Sequence, residues 1–216
     1  MSYIAERRQE EKDRRRAEII DAAEDLYREL GWDAVTMDSV AKRARLSRAL
    51  VYVYFKDKND LLFAIASRAL VTLRDRFEEA TTRVKPGLEK IEAIGRAYMA
   101  YGQEFPHYFD ACARMEAQGP EQEAPSVEQA GVMDAGSNVH DVVVQALQAG
   151  QQDGSIRKDI GDLAVTSRVL WGFTHGLMQI AMNKDQALAQ QGISVPQLTQ
   201  QAIALIKYTL AAPKAS

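Results

Sequence analysis

Apolar residues recur every three or four positions along nearly the whole chain, and no stretch alternates apolar and polar residues as a strand would. Ile19, Ile20, Ala23, Leu26, Tyr27 and Leu30 form the first stripe, and Gly31 follows as a helix stop. Residues 1–13 are charged and lack a stripe, so they are expected to fray. Two short helices come next. Thr36 is placed to cap the first, which carries Asp38 in its opening turn and Val40, Ala41 and Ala44 as a narrow apolar stripe. Arg45-Leu46 makes a turn, and Ser47 caps the second, in which Val51 and Phe55 face inward. Asp57, with Asp60 three residues on, opens a longer helix from about Lys58 to Thr81 in the manner of a capping box. Beyond Pro86-Gly87 the pattern predicts helices over Leu88–Glu104, Tyr108–Gln118, Val127 to about Gln151, Asp162 to about Met182 and Val195–Leu210. The third of these is interrupted in pattern near Gly136-Ser137. Connecting segments are an acidic loop from Gly119 to Pro125, a turn beginning at Gly154 and a Gln-rich loop after Met182.

Two short helices across a tight turn are the layout of a helix-turn-helix, which places its second helix in the DNA major groove. Charge supports that reading. Residues 36–58 hold six basic and two acidic side chains, a local balance of +4 in a chain whose net charge is −3. Phosphate binding needs such a basic patch, not a basic protein. Most charge runs are merely solvated helix faces, but that account leaves Tyr52 and Tyr54 among the charges unexplained. Tyrosine hydroxyls suit phosphate oxygens, and the rings pack on the sugar edge. Lys58 sits at the positive end of its helix dipole, an unfavourable place for a cation. A phosphate contact would account for it; a lysine pointing into water is the alternative. Arg7, Arg8, Arg14, Arg15 and Arg16 could form a basic arm, although Glu6, Glu10, Glu11 and Asp13 dilute it.

Residues 10 to 65 resemble the TetR family of bacterial transcriptional regulators. The resemblance rests on Leu30-Gly31-Trp32, Thr36, Val40-Ala41, Ala44, Leu46-Ser47 and Tyr52-Val53-Tyr54-Phe55, followed by Lys58 and Leu61-Leu62. It implies an all-α fold, with an N-terminal three-helix DNA-binding unit at 1–57 and a larger helical ligand-binding and dimerisation domain at 58–216. It also implies that Thr36, Tyr52, Tyr54 and Lys58 hold phosphates, while Arg48, Ala49 and Leu50 face base edges, with Arg45 and Ser47 completing the interface. Two positions depart from the family. Arg45 stands where the turn usually has glycine, so a positive φ there would cost on the order of 1 kcal/mol unless the turn differs. Leu50 stands where a small hydroxyl residue is common; leucine can pack on a thymine methyl but cannot hydrogen-bond a base.

The second half carries less specific signals. Apolar residues occupy nearly all faces of Asp162–Met182, which predicts burial on more than one side. Gly172 and Gly176, four apart, would let a neighbouring helix approach. With the stripe of Val195–Leu210 this gives a buried helix pair; the resemblance makes it the interface of a homodimer, which would present two reading helices to a palindromic operator. Three stripes are candidates for a ligand site: Tyr98, Tyr101 and Phe105; Tyr108, Cys112 and Met115; Trp171, His175 and Met178. Such stripes more often pack a core than bind a ligand. Together they combine apolar bulk with a few polar tips, as small-molecule sites do, and point to an apolar or aromatic effector with His107 and His175 as polar contacts.

Composition bounds the alternatives. The lone Cys112 excludes an internal disulfide and fits a reducing, cytoplasmic compartment. No run of 18 apolar residues is present, so no membrane partner is expected. No cofactor or metal is implied. An enzyme is the first rival reading, but His107, His140, His175 and Cys112 match no zinc spacing, and the Gly-rich phosphate loops are absent. A DNA-binding regulator without a small ligand is the second. Replacing Arg48 with alanine is expected to relax sequence preference at one or two base pairs, by roughly one to two orders of magnitude. Unchanged specificity of Arg48→Ala in a binding-site selection would exclude base reading by this residue.

Overall fold

The computed structural model describes residues 3–117 and 125–213, so most of the acidic segment Gly119–Pro125 lies outside the described residues. Within them the chain is all-α. Helix α1 spans Tyr3–Leu30, and a single 3-10 turn at Trp32–Ala34 leads to α2 (Met37–Arg43) and α3 (Arg48–Tyr54). Then come α4 (Lys58–Thr82), α5 (Gly87–Glu104), α6 (Pro106–Glu116) and α7 (Val127–Asp153). Last are α8 (Leu163–Asn183), α9 (Asp185–Gln190) and α10 (Val195–Leu210).

Four expectations need correction. Helix α1 starts at Tyr3, not after residue 13, because Glu11 pairs with Arg14 and Arg15, and Arg15 pairs with Glu18, at helical spacing. Helix α7 runs through Gly136-Ser137 without a break. Its buried residues Val132, Ala135, Val139, Val142, Val143, Ala146 and Leu147 keep one face packed, and that packing outweighs glycine's poor propensity. The Gln-rich segment folds as α9. Asp60 does not complete a capping box: Asp57 Oδ1 accepts the N–H groups of Asn59 and Asp60, but the Asp60 carboxylate accepts from Lys56 N–H at 3.1 Å.

The chain packs as two compact units, one formed by residues up to Ala69 with His107–Asp134, the other by Leu70–Pro106 with Ala135–Ser216. In the first, α1 buries Ile19, Ile20, Ala23 and Leu26 and packs on α2 and the 3-10 turn. Gly31 leaves α1 at φ 78°, its N–H bonded to Tyr27 C=O at 2.9 Å, and turns the chain toward Trp32. Three elements are then tied together. Tyr27 Oη donates to Asp110 at 2.5 Å, Arg114 donates to Asp110 at 2.8 Å, and Arg114 also forks onto Asp33 at 3.0 and 3.2 Å.

In the second unit, α5, α8 and α10 pack on one another, and α7 brings its valine face. Helix α5 opens on a borrowed cap: Gly87 N–H donates to Asp153 at 2.8 Å and Leu88 N–H to Ser155 Oγ at 3.1 Å. Beyond α7, Ile156 and Ala211 form an isolated bridge, with Arg157 N–H on Leu210 C=O at 2.9 Å and Ala212 N–H on Ser155 C=O at 3.0 Å. Close helix approach occurs at other glycines than Gly172 and Gly176, which meet nothing nearer than 4 Å within the chain. A Cβ on Gly87 would fall 2.0 Å from Gly150 N, backbone on backbone. A Cβ on Gly95, by contrast, would enter open space. Gly87→Ala is therefore expected to destabilise by about 1–3 kcal/mol, and Gly95→Ala to stabilise by about 0.5–1 kcal/mol. Thermal melts of the two variants should move in opposite directions; a shared direction would refute the backbone crossing.

Candidate nucleic-acid interface and ligand cavity

Helix α2 begins on a reciprocal cap. Thr36 Oγ1 accepts Ser39 N–H at 3.1 Å, and Ser39 Oγ accepts Thr36 N–H at 3.0 Å. It ends with Leu46 N–H on Ala41 C=O at 2.9 Å and Arg45 N–H on Lys42 C=O at 3.2 Å. This pair of bonds closes a helix through one left-handed residue. That residue is Arg45, at φ 57°, the only non-glycine with positive φ among the described residues. The turn keeps the glycine geometry and bears the steric cost of a side chain. Ser47 Oγ then accepts Leu50 N–H at 3.2 Å and starts α3.

Val51 and Phe55 are fully buried, which fixes the outward face of α3. Ser47, Arg48, Ala49, Tyr52 and Val53 are exposed there, and Leu50 and Tyr54 are half-buried. Arg48 is held in place: its Nε lies 3.0 Å from Asp38 Oδ1, its Nη2 3.4 Å from Tyr52 Oη, and the cation stands 5.5 Å from the Tyr52 ring centre. Thr36 and Arg45 are exposed at the two ends of α2. Lys58 is placed differently. Its ammonium donates to Trp32 C=O at 2.6 Å and lies 4.8 Å from the Trp32 ring centre, and burial lowers its pKa. In this arrangement Lys58 ties α4 to the 3-10 turn. Val53, 76% exposed, was not among the candidates, although it sits four residues from Ala49 on the same face. Of the arginines proposed as an arm, Arg14 and Arg15 pair within α1, and Arg16 pairs with Glu128.

A cavity of about 40 Å³ lies within the second unit. Phe77 of α4, Ile91, Ile94 and Tyr98 of α5, Val139, His140 and Val143 of α7, Ser167, Leu170, Trp171 and Thr174 of α8 and Ile206 of α10 line it. Two histidines bring hydrogen-bonded pairs. His140 Nδ1 lies 2.9 Å from Ser167 Oγ, and His175 Nδ1 lies 2.8 Å from Tyr98 Oη. Desolvation lowers both imidazole pKa values, helped at His140 by the nearby Arg168 charge.

Of the candidate ligand residues, Tyr98 and Trp171 line this cavity. His175 stands behind them, 5.2 Å ring to ring from Trp171. Met178 is buried, with its Cε against Gly102. Tyr101 and Phe105 stack on each other at 5.4 Å outside the cavity lining. His107, Tyr108, Cys112 and Met115 belong to the first unit. There His107 and Tyr108 bond Glu24, and burial pushes the Cys112 thiol up to about 12. His140 and Ser167 were missed as a pair. Their signal was a small hydroxyl residue on the face of α8 shared with Trp171 and Thr174, at helical spacing.

Fold and site define a helix-turn-helix protein whose second helical unit holds a small, mostly apolar cavity. Comparison with known proteins agrees. Residues 19–65 match the family model for bacterial regulatory proteins of the tetR family, and residues 91–205 match the tetracyclin repressor-like C-terminal domain. The chain belongs to the TetR family. The transcriptional regulator HbdR of Aromatoleum sp. is 36% identical over 88 residues, covering 40% of this chain and 37% of HbdR, so the chain spans under two fifths of that relative. Two solved structures share the fold. FadR from Bacillus subtilis, in complex with stearoyl-CoA, has TM-score 0.69 at 17% identity, over 89% of this chain and 98% of that one. RolR, in complex with resorcinol, has TM-score 0.69 at 19% identity, over 94% and 91%.

The left-handed Arg45 yields a direct expectation. Arg45→Gly should raise stability by up to about 1 kcal/mol, since strain relief exceeds the extra chain entropy of glycine. Urea unfolding of the variant checks this, and a loss of stability would mean that the arginine side chain itself holds the turn.

Proposed function

We propose that the chain is a DNA-binding transcriptional regulator, a cytoplasmic repressor that binds a palindromic operator as a homodimer and is released by a small apolar or aromatic molecule. The observation that carries this is the face of α3. With Val51 and Phe55 buried, Arg48, Ala49, Leu50 and Tyr52 are turned outward from a capped, sharply turned scaffold. In this reading Arg48, Ala49 and Leu50 meet base edges, and Thr36, Arg45, Ser47, Tyr52 and Tyr54 meet phosphates. Lys58 joins them only by leaving the Trp32 carbonyl.

Pairing of two copies is supported by the apolar surface that α8 and α10 leave open. Val165 is 62% exposed, Val169 64%, Phe173 40% and Leu205 48%. Apolar side chains concentrated on one helix pair in this way mark an interaction surface. The effector is supported by the cavity and by two structural neighbours that hold small molecules, stearoyl-CoA and resorcinol. Release requires that the effector bind two conformations with different affinity. Helix α4 is the lever in this scheme: Lys58 at its start is tied to Trp32, and Phe77 further along lines the cavity. No step calls for catalysis.

Selection of binding sites from a random duplex library at moderate salt tests the reading. A recovered palindrome is the expected result. No enrichment by folded, dimeric protein would sink it, and an effector that binds yet leaves operator affinity unchanged would end the release scheme.

A further inference from the structure

We propose that the cavity of the second unit, once a wall side chain moves aside, takes an uncharged single-ring molecule carrying a hydroxyl group, a phenol, whose hydroxyl meets Nε2 of His140. This rests on the reading of the chain as an effector-controlled regulator and names the chemistry of that effector.

Charge is the first constraint. No Lys, Arg, Asp or Glu is among the lining residues. A carboxylate or phosphate entering here would lose its water and find no charged group in the lining to pair with directly, Arg168 acting on His140 only from outside it. Polarity is the second. Ser167 is fully buried, and its one hydroxyl hydrogen has two acceptors: His140 Nδ1 at 2.9 Å and His140 C=O at 3.4 Å. The choice fixes the histidine. If Ser167 donates to Nδ1, the proton sits on Nε2, which then donates. If Ser167 donates to the carbonyl, Nδ1–H donates to Ser167 and Nε2 accepts. In either case Nε2 has no protein partner among the described residues. A hydroxyl answers both tautomers with one atom, whereas a carbonyl answers only the first. The second histidine makes no such demand, because His175 is engaged on both nitrogens, by Tyr98 Oη at 2.8 Å and the Gln179 amide at 3.2 Å.

Shape and volume set the rest. The Trp171 ring stands 6.1 Å from His140, nearly edge-on at 76°, and offers a flat aromatic wall. A volume of about 40 Å³ holds only a few waters, while a cavity that accepts benzene is nearer 150 Å³. One ring therefore enters only if a wall side chain moves, and a larger molecule needs more displacement still.

The test uses the whole protein with phenol, toluene and benzoate as probes in isothermal titration calorimetry. Phenol is expected to bind about tenfold more tightly than toluene, the worth of one net hydrogen bond, with no measurable binding of benzoate. His140→Phe should reduce phenol to the toluene level. Ser167→Ala, a smaller change, should reduce the phenol preference without abolishing binding. A thermal melt of each variant identifies loss of folding. Benzoate binding as well as phenol, a phenol preference that survives in folded His140→Phe, or no phenol binding at all would overturn the proposal. Repeating the titrations with a selected operator duplex separates the two readings. Phenol that binds as expected but leaves duplex affinity unchanged defeats the release scheme and keeps the ligand chemistry. A bound duplex with no phenol binding does the reverse.

Discussion

A helix of seven residues cannot hold its own shape in water, so the outward face of α3 exists only while other elements hold it. Two apolar anchors do most of this. Val51 and Phe55 are fully buried, and burial of such side chains is worth about 1.5–3 kcal/mol each. The remaining support is polar and local. Ser47 caps α3, the Thr36–Ser39 pair caps α2, and Arg45 accepts a left-handed backbone to join them. Around this core, Tyr27, Asp110, Arg114 and Asp33 link α1, α6 and the 3-10 turn, and Lys58 bonds the same turn. The reading face is thus a product of the whole first unit.

The sequence showed the first unit well because its signals are local. Caps at Thr36 and Ser47, the stop at Gly31 and the inward pair Val51 and Phe55 each depend on residues within one turn. The family resemblance extended the same residues to DNA contact. The bond that Lys58 makes was not legible, for the opposite reason. Its partner is a backbone carbonyl 26 positions away, and no periodicity reports such a bond. The same limit applied in the second unit. The stripes of α5 and α8 were legible, but which stripe faces which was not, so Tyr98 and Trp171 were found together with residues of the other unit. The His140–Ser167 pair joins two helices that no local pattern connects. Within the chain, Gly87 and Gly102 meet close neighbours and Gly172 and Gly176 meet none.

His175, buried, and His140, half-buried, share a physical logic. An imidazolium in this apolar unit would be short of solvation, and desolvation depresses both pKa values below the ordinary 6.5. The neutral rings are therefore the forms that fit the fold. Their contribution to stability is fully present above pH 6.5 and declines as pH falls from there toward the depressed folded values. The second unit gains directional hydrogen bonding without placing charge in its interior.

The bridge between Ile156 and Ala211 sets a kinetic boundary. Backbone bonds from Arg157 to Leu210 and from Ala212 to Ser155 join the exit of α7 to the exit of α10. The chain between them, with all of α8, α9 and α10, is a loop closed at its neck. Fraying from the end of α10 is resisted by these bonds, so exchange of its last amides with solvent follows opening of the neck. The surface that α8 and α10 would offer a second copy is thereby kept in register by a few peptide groups that lie outside it.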